Sequence, residues 1–170
     1  MNIQFFIDQL TRGAVAIRSM VEDLDDAQVR WKPADDKWSV LEIVCHLADE
    51  EREDFRMRLE LTLSDPRAEW PPIDPAGVVV ARAYNSRKLS DALSAYLRER
   101  EASIAWLTSL DEPDLATEHV HPEFGSMSAG NLLASWVAHD LLHIRQIARV
   151  EYQYVEKTAA PYSLEYAGPP

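Results

Sequence analysis

Two histidines near the end of the sequence, His139 and His143, are four residues apart in a stretch with helical periodicity. On an α-helix this spacing puts both imidazoles on one face, with Cβ atoms roughly 6 Å apart. Imidazoles placed in this way can bind one metal ion at about 2.0–2.1 Å from each nitrogen. The same helical column holds Leu132, Trp136 and Ile147, so the pair is predicted to face inward. The spacing alone also permits each histidine to have its own hydrogen bond.

His46 is the third histidine that could join this pair. It lies early in a second predicted helix, and metal sites in helical bundles usually draw ligands from facing helices. Glu42 and Glu50 lie one turn away, so an imidazole paired with a carboxylate also explains this residue. His119 and His121 alternate in a predicted loop, where solvent-exposed histidines are the simpler interpretation.

Arg100, Asp140 and Glu50 are the charged residues that could support catalysis. Arg100 falls on the apolar face of a third predicted helix, and a buried arginine normally needs a carboxylate partner. Asp140, Glu50 and Glu51 are the candidates for that partner. A brace for the bundle, a residue that orients metal ligands, and a substrate-binding residue all remain open for Arg100. Asp140 could orient a histidine, pair with Arg100 or lie at the surface.

Four apolar stripes at helical spacing predict the helices that position these residues. They run from about Ile3 to Leu24, from Ser39 to about Leu63, from about Ala83 to Leu110, and from Ser128 to about Tyr154. No stretch is predicted to be a strand. Three long links, residues 25–38, 64–82 and 111–127, join the helices and permit crossover connections. The 170 residues suit one domain, so we expect a single all-α domain over residues 1–170.

The composition of the chain argues against several classes of binding partner. The formal net charge is −12, and no basic stripe offsets it, so nucleic acid and anionic membranes are poor partners. Charges interrupt every apolar run before the length that a membrane-spanning helix needs. The first residues lack the basic start and apolar run of a signal peptide. We therefore expect a cytoplasmic protein that acts on a small molecule. The one cysteine, Cys45, is predicted to be a core residue.

Two segments resemble motifs of the DinB-like family, which includes the YfiT-like metal-dependent hydrolases. The segment 38–51, WSVLEIVCHLADEE, resembles the second-helix motif of that family. The segment 121–125, HPEFG, together with 138–147, AHDLLHIRQI, resembles its fourth-helix motif. Arg100 stands where the family usually has an arginine on its third helix. The resemblance covers nearly the whole chain.

The resemblance implies a four-helix bundle with up-down-down-up topology, often dimeric. It also implies a divalent metal, with nickel and zinc as the usual candidates, held by three histidines. These map onto His46, His139 and His143, and all three positions are filled. Characterised members include transferases that use a low-molecular-weight thiol such as bacillithiol, mycothiol or glutathione.

The expected function is therefore a metal-dependent hydrolase or a low-molecular-weight-thiol S-transferase acting at an open three-histidine centre. Asp140, Glu50 and Arg100 would support catalysis, and the protein would be a homodimer. The alternative is a non-catalytic dimeric bundle that binds a metal, a small ligand or a protein partner.

Overall fold

The computed structural model describes residues 2–168; Met1, Pro169 and Pro170 of the predicted domain lie outside them. The secondary structure of the described residues is mostly helical. The helices are α1 Ile3–Val21, α2 Asp26–Arg30, α3 Val40–Glu50, α4 Arg56–Ser64, α5 Pro75–Ala81, α6 Leu89–Ser109 and α7 Ala129–Thr158. A hairpin, β1 Glu118–His121 and β2 Gly125–Ser128, lies between α6 and α7.

Four long elements form a helical bundle, which confirms the predicted all-α four-helix fold. They are α1, the continuous unit of α3 and α4, α6, and α7. α1 packs against α6 and α7, and α3 packs against α6. The core has two parts: one surrounds α3, and the other gathers around Leu10, Leu59 and Trp136. None of the helices described in residues 2–168 is long and apolar enough to cross a membrane.

The start of α3 is fixed by the capping box that the sequence predicts. The Ser39 hydroxyl accepts a hydrogen bond from the Glu42 backbone N–H at 3.2 Å. In return, the Glu42 carboxylate accepts one from the Ser39 backbone N–H at 2.9 Å. Ser128 caps α7 in a similar way, accepting from the Asn131 N–H at 3.1 Å. These caps satisfy backbone groups that a helix start leaves free, and they set where the two histidine-bearing helices begin.

A π-helical turn, Glu51–Phe55, joins α3 to α4. The predicted single helix from Ser39 to Leu63 is therefore continuous but not uniform. A π-turn adds one residue to a helical repeat, and such turns are frequent at functional sites. This one begins directly after Glu50, one helical turn beyond His46.

The structure corrects two predictions for the links between the long helices: where the third helix begins, and whether any strand is present. The third long helix begins at Leu89 and not near Ala83, because Ala83 adopts a left-handed conformation (φ 47°) that ends the preceding segment. The prediction of no strands was wrong. In the hairpin His119 lies opposite Met127, and His121 lies opposite Gly125 at the turn, where φ is 71°. The strands escaped detection because each has four residues and Val120 is exposed instead of buried.

Candidate metal centre

Three histidines from two helices converge in the bundle. His46 comes from α3, and His139 and His143 come from successive turns of α7. One ring nitrogen of each lies within 4.8 Å of the corresponding nitrogens of the other two. The Nε2 atoms of His139 and His143 are 3.1 Å apart. This arrangement can hold a metal ion, and it unites the pair that spacing predicts with the histidine that only the resemblance could add.

Aromatic side chains surround the three imidazoles. The Trp38 ring centroid is 4.8 Å from that of His46, and the Trp38 ring is parallel to His143 at 6.5 Å. The Phe55 ring, in the π-turn, lies 5.0 Å from His139. His46 and His143 are buried, and His139 is half-buried. The site is therefore walled from water on several sides.

This burial keeps the imidazoles neutral. It lowers the pKa of His46 to about 3 and that of His139 to about 2, and the neighbouring His143 adds to both shifts. Burial also lowers the pKa of His143. A charged imidazolium is costly where water is excluded, and only the neutral ring has a lone pair for a metal. At neutral pH the three rings are in the form that metal binding requires.

Gln146 determines which nitrogen of His143 can act as a ligand. The Gln146 Oε1 atom lies 2.8 Å from His143 Nδ1. An amide oxygen can only accept a hydrogen bond, so Nδ1 carries the proton and Nε2 keeps its lone pair. Metal-binding histidines commonly donate their other N–H in this way, which fixes both the tautomer and the ring orientation.

The donor set fits a divalent metal ion. Two nitrogens about 2.0–2.1 Å from a shared ion at a tetrahedral angle would lie roughly 3.3 Å apart, close to the separation found between His139 and His143. Within residues 2–168, the buried His46 ring makes no hydrogen bond, and its Nδ1 lies 3.6 Å from Glu50 Oε1, which leaves a ring nitrogen available to a shared ion. Imidazole ligands suit zinc, nickel, copper and iron, so the donors alone do not select one metal.

Glu50 lies beside the histidines, as the sequence predicts. Its Oε1 atom is 3.6 Å from His46 Nδ1. Burial and the neighbouring Asp54 raise the pKa of Glu50 to about 8. Both His46 and Glu50 line a cavity of about 390 Å³, whose opposite wall includes Pro71 and Pro72 of the link between α4 and α5. A molecule in this cavity could reach the histidine cluster.

Arg100 and Asp140 form an ion pair in the core. The guanidinium of Arg100 donates to both carboxylate oxygens of Asp140, at 2.6 and 2.8 Å, to Glu51 Oε1 at 2.6 Å, and to the backbone carbonyl of Leu10 at 2.6 Å. Trp136 Nε1 also donates to Glu51 Oε1, at 2.7 Å. Neither Arg100 nor Asp140 lines the cavity beside His46. The network ties α1, α6, α7 and the π-turn together.

The segment that carries these residues also matches a known family. A family model described as "DinB superfamily" matches residues 9–147. The chain belongs to the DinB superfamily. The match spans both histidine-bearing segments and the helix that carries Arg100.

Two relatives show what this DinB-superfamily chain is similar to. It is 26% identical over 132 residues to a "putative metal-dependent hydrolase" of Oceanobacillus iheyensis, covering 77% of this chain and 75% of the relative. In structure it is similar to YfiT from Bacillus subtilis, described as "a probable metal-dependent hydrolase with an unusual four-helix bundle topology". The TM-score is 0.79 at 22% identity, over 89% of this chain and 87% of YfiT, which supports the shared fold.

The other histidines and the cysteine lie elsewhere in this DinB bundle. His119 was predicted to be exposed, which is wrong: it is buried, stacks on Trp70 at 4.0 Å, and its Nδ1 lies 3.1 Å from the Pro66 carbonyl oxygen. His121 is half-buried in the hairpin. Cys45 is buried in the core, as predicted, and burial raises the pKa of its thiol to about 11.

Sequence reasoning missed several residues that shape the site of this DinB-superfamily protein. Gln146 gives a weak signal, because a polar residue three positions after His143 lies on the same helical face. Trp38 and Phe55 give none, because their contacts with the histidines depend on how α3, the π-turn and α7 pack. Gly13 is also part of this arrangement: a Cβ there would lie 2.2 Å from Asp140 Oδ2.

Proposed function

We propose that this protein is a metal-dependent hydrolase of a small organic substrate, with His46, His139 and His143 as the metal ligands. One observation carries the proposal: three neutral imidazoles converge within 4.8 Å next to a cavity that His46 itself lines. The names of the relatives, both of which refer to metal-dependent hydrolases, agree with this interpretation. Nickel and zinc are the metals that we expect.

A divalent ion held by His46, His139 and His143 would supply Lewis acidity to a substrate oxygen, a water or a thiol. The chain's own residues supply the rest. Glu50 contacts His46 and faces the cavity, so it is placed to hold a proton or pass it on. Gln146 fixes the orientation of His143, and the rings of Trp38 and Phe55 exclude water.

Arg100 and Asp140 act in this proposal as positioning residues. Asp140 follows His139 directly on α7, and Arg100 anchors it to α6 and, through Glu51, to the π-turn. The π-turn in turn carries Phe55 against His139. The network thus holds His139 and Phe55 in position relative to each other, although none of its residues lines the cavity.

Metal analysis is the first test. The purified protein, its His143→Ala variant and a His121→Ala control are loaded with zinc or nickel, desalted and measured by elemental analysis. We expect about one ion per chain in the wild-type protein and the control, and none in the His143 variant. Equal metal content in all three proteins would contradict the assignment of His143 as a metal ligand.

The reaction itself is tested with a panel of esters, amides and lactones, and in parallel with monochlorobimane plus a thiol. Metal-dependent hydrolysis that His143→Ala abolishes and His121→Ala retains supports the proposal. Thiol-dependent conjugation without any hydrolysis would instead show a thiol S-transferase. Binding of the metal with neither activity would favour a non-catalytic bundle.

A further inference from the structure

The link between α4 and α5, residues 65–74, forms one wall of the cavity but has little backbone support of its own. Three of its residues form what we call the proline wall: Pro71, Pro72 and Ile73. Within the part of the chain that the structure describes, residues 69–73 make no backbone–backbone hydrogen bond. A segment without such bonds opens easily unless side chains hold it. The position of the proline wall therefore depends on the side chains that contact the link.

Arg58 on α4 is the first of these anchors. Its guanidinium donates to the backbone carbonyl of Pro71 at 3.1 Å and pairs with Asp54 at 2.6 Å. Asp54, in the π-turn, and Pro71 both line the cavity, whereas Arg58 is buried and does not line it. Hydrogen bonds from a charged donor are among the strong ones. Arg58 thus joins the proline wall to the helical side of the cavity.

Trp70 comes directly before the proline wall and is the second anchor. Its ring is nearly parallel to the His119 ring at a centroid distance of 4.0 Å, and the Arg58 guanidinium carbon lies 4.9 Å from its centroid. Its Nε1 atom is buried and makes no hydrogen bond within residues 2–168. The ring is therefore held by stacking and cation–π contacts, and not by its polar group.

His119 connects the link to the hairpin. Its Nδ1 lies 3.1 Å from the Pro66 carbonyl oxygen, which can only accept, so Nδ1 carries the proton. With the stack on Trp70, one buried imidazole contacts the link at two points, four residues apart. The hairpin in turn is fixed to α7, because the Ala129 N–H donates to the Thr117 carbonyl at 2.9 Å. The proline wall is thus anchored to the helix that carries two of the three histidines.

We propose that Trp70 and His119 are positioning residues of the proposed hydrolase: their stack keeps the proline wall in place and so sets how tightly the cavity holds the apolar part of a substrate. The inference rests on the proposed function in one respect, which is that the substrate binds in this cavity. Neither residue lines the cavity, so both act through the wall. Without the stack, the wall is out of place in part of the molecules, and the apparent affinity falls by that fraction.

Limited digestion with trypsin tests the anchoring without any substrate. The bond between Arg67 and Ala68 lies between the two points that His119 contacts, and Arg67 is exposed. Cleavage requires the link to leave the bundle, so its rate follows the population of the open form. We expect His119→Ala and Trp70→Ala to be cleaved at this bond at least about threefold faster than the wild type, since an aromatic stack is worth a factor of roughly 2–10 in an equilibrium. Mass spectrometry of the fragments measures the rate.

Two further variants are the controls for this digestion. Trp70→Phe keeps a ring for His119 to stack on, so its cleavage should stay within about twofold of the wild-type rate. Tyr154→Ala also removes an aromatic pair, that of Tyr154 with Trp31 at a centroid distance of 5.6 Å. Trp31 packs in the part of the core around α3, whereas Trp70 packs in the other part. Tyr154→Ala should therefore leave the cleavage after residue 67 unchanged.

The effect on the cavity is measured with the zinc-loaded protein and two esters that differ in acyl chain length, p-nitrophenyl acetate and p-nitrophenyl butyrate. We expect His119→Ala to raise KM for the butyrate by about 3- to 10-fold and KM for the acetate by less, because the longer chain covers more of the wall. The kcat values should stay within about twofold, since the metal ligands are unchanged. A variant that is merely less stable would instead lower kcat for both esters equally.

The inference is overturned if trypsin cleaves His119→Ala and Trp70→Ala at the wild-type rate, or Tyr154→Ala as fast as these two. It is also overturned if His119→Ala lowers kcat for both esters and leaves both KM values unchanged. Metal-dependent hydrolysis with either of these results refutes this inference alone. If the zinc-loaded wild type hydrolyses no member of the panel but the two variants are cleaved faster, the proposed function is refuted and the anchoring by the stack stands.

Discussion

Arg100 donates one hydrogen bond to each carboxylate oxygen of Asp140, and both side chains are almost completely buried. A buried ion pair adds little stability compared with a well-packed apolar pair, but removing one partner leaves an uncompensated charge. Here the loss would strand two carboxylates, because Arg100 also binds Glu51. Replacing either partner of this pair is therefore expected to lower the stability of the whole bundle.

Arg100→Leu is expected to lower the free energy of unfolding by about 3–5 kcal/mol, the usual cost of breaking a buried pair. Urea denaturation followed by circular dichroism measures it. The exposed Arg12→Leu serves as the control and should stay within about 0.5 kcal/mol of the wild type. If the two variants were equally stable, the network would not have the role assigned to it.

Gly13→Ala should destabilise the protein by about 1–3 kcal/mol, the range for overpacking a filled interior. Alanine in mid-helix normally gains roughly 0.5–1 kcal/mol over glycine, so the expected sign is reversed. The cause is the Asp140 carboxylate, which a Cβ at residue 13 would approach to 2.2 Å. The comparison is Gly130→Ala, where the nearest atom is 3.3 Å away and a smaller cost is expected. A stabilised Gly13→Ala variant in thermal unfolding would contradict the packing described.

Gln146→Ala should weaken metal binding by about 10- to 100-fold, the usual effect of losing a residue that orients a ligand. The Gln146 side chain fixes the His143 tautomer, and without it the Nε2 lone pair is no longer held in place. Competition with a chelator of known affinity measures the change. Arg145→Ala, an exposed neighbour on α7, is the matched control and should bind metal normally. Equal affinities in the two variants would argue against the tautomer assignment.

Glu151→Gln is expected to change the pH dependence of stability. Burial raises the pKa of Glu151, against a hydrogen bond from Gln28 that lowers it. Between the unfolded and the folded pKa, the folded state binds more protons, so this carboxyl group makes the wild type less stable as pH rises. Glutamine does not titrate, so the stability of the variant relative to the wild type should increase from pH 4 to pH 7.

Urea unfolding at several pH values checks this, with the exposed Glu156→Gln as the control. Parallel stability profiles for wild type and Glu151→Gln would show that Glu151 ionises in the fold as freely as in the unfolded chain.

The sequence predicted that His139 and His143 would lie side by side on one helix, but helical spacing alone did not predict that His46 would join them. The spacing of His139 and His143 depends only on local helical geometry, so it can be predicted directly. His46 is different, because its approach to the pair depends on how α3 rotates against α7, and only the family resemblance supplied that contact. The three-histidine arrangement is thus a property of long-range packing.

The sequence predicted that Arg100 would pair with a carboxylate, but it did not predict what this ion pair does in the protein. An arginine on an apolar helical face needs a carboxylate, and Asp140 and Glu51 were both candidates for it. The sequence could not predict that Arg100 lies away from the cavity, because the direction of a side chain across the core depends on how the helices pack. The hairpin was missed because its strands have four residues each. The π-turn was missed because its buried side chains are Glu51 and Asp54, so no apolar residue marks its inward face in the sequence.

The π-turn has a consequence for how this chain tolerates insertions and deletions. One residue more than an α-helix requires is inserted between His46 and α4. Deleting one residue from Glu51–Phe55 would restore a regular α-helix and leave the residues after it on nearly the same faces, because the π-turn fits its extra residue into one rotation of the helix. Leu59 would stay in the core, and Met57 would stay at the cavity wall. A deletion inside α4 has no extra residue to absorb it and would rotate the residues after it by about 100°. The π-turn is therefore the place in this long helical unit where the chain can lose one residue without changing which side chains face the site.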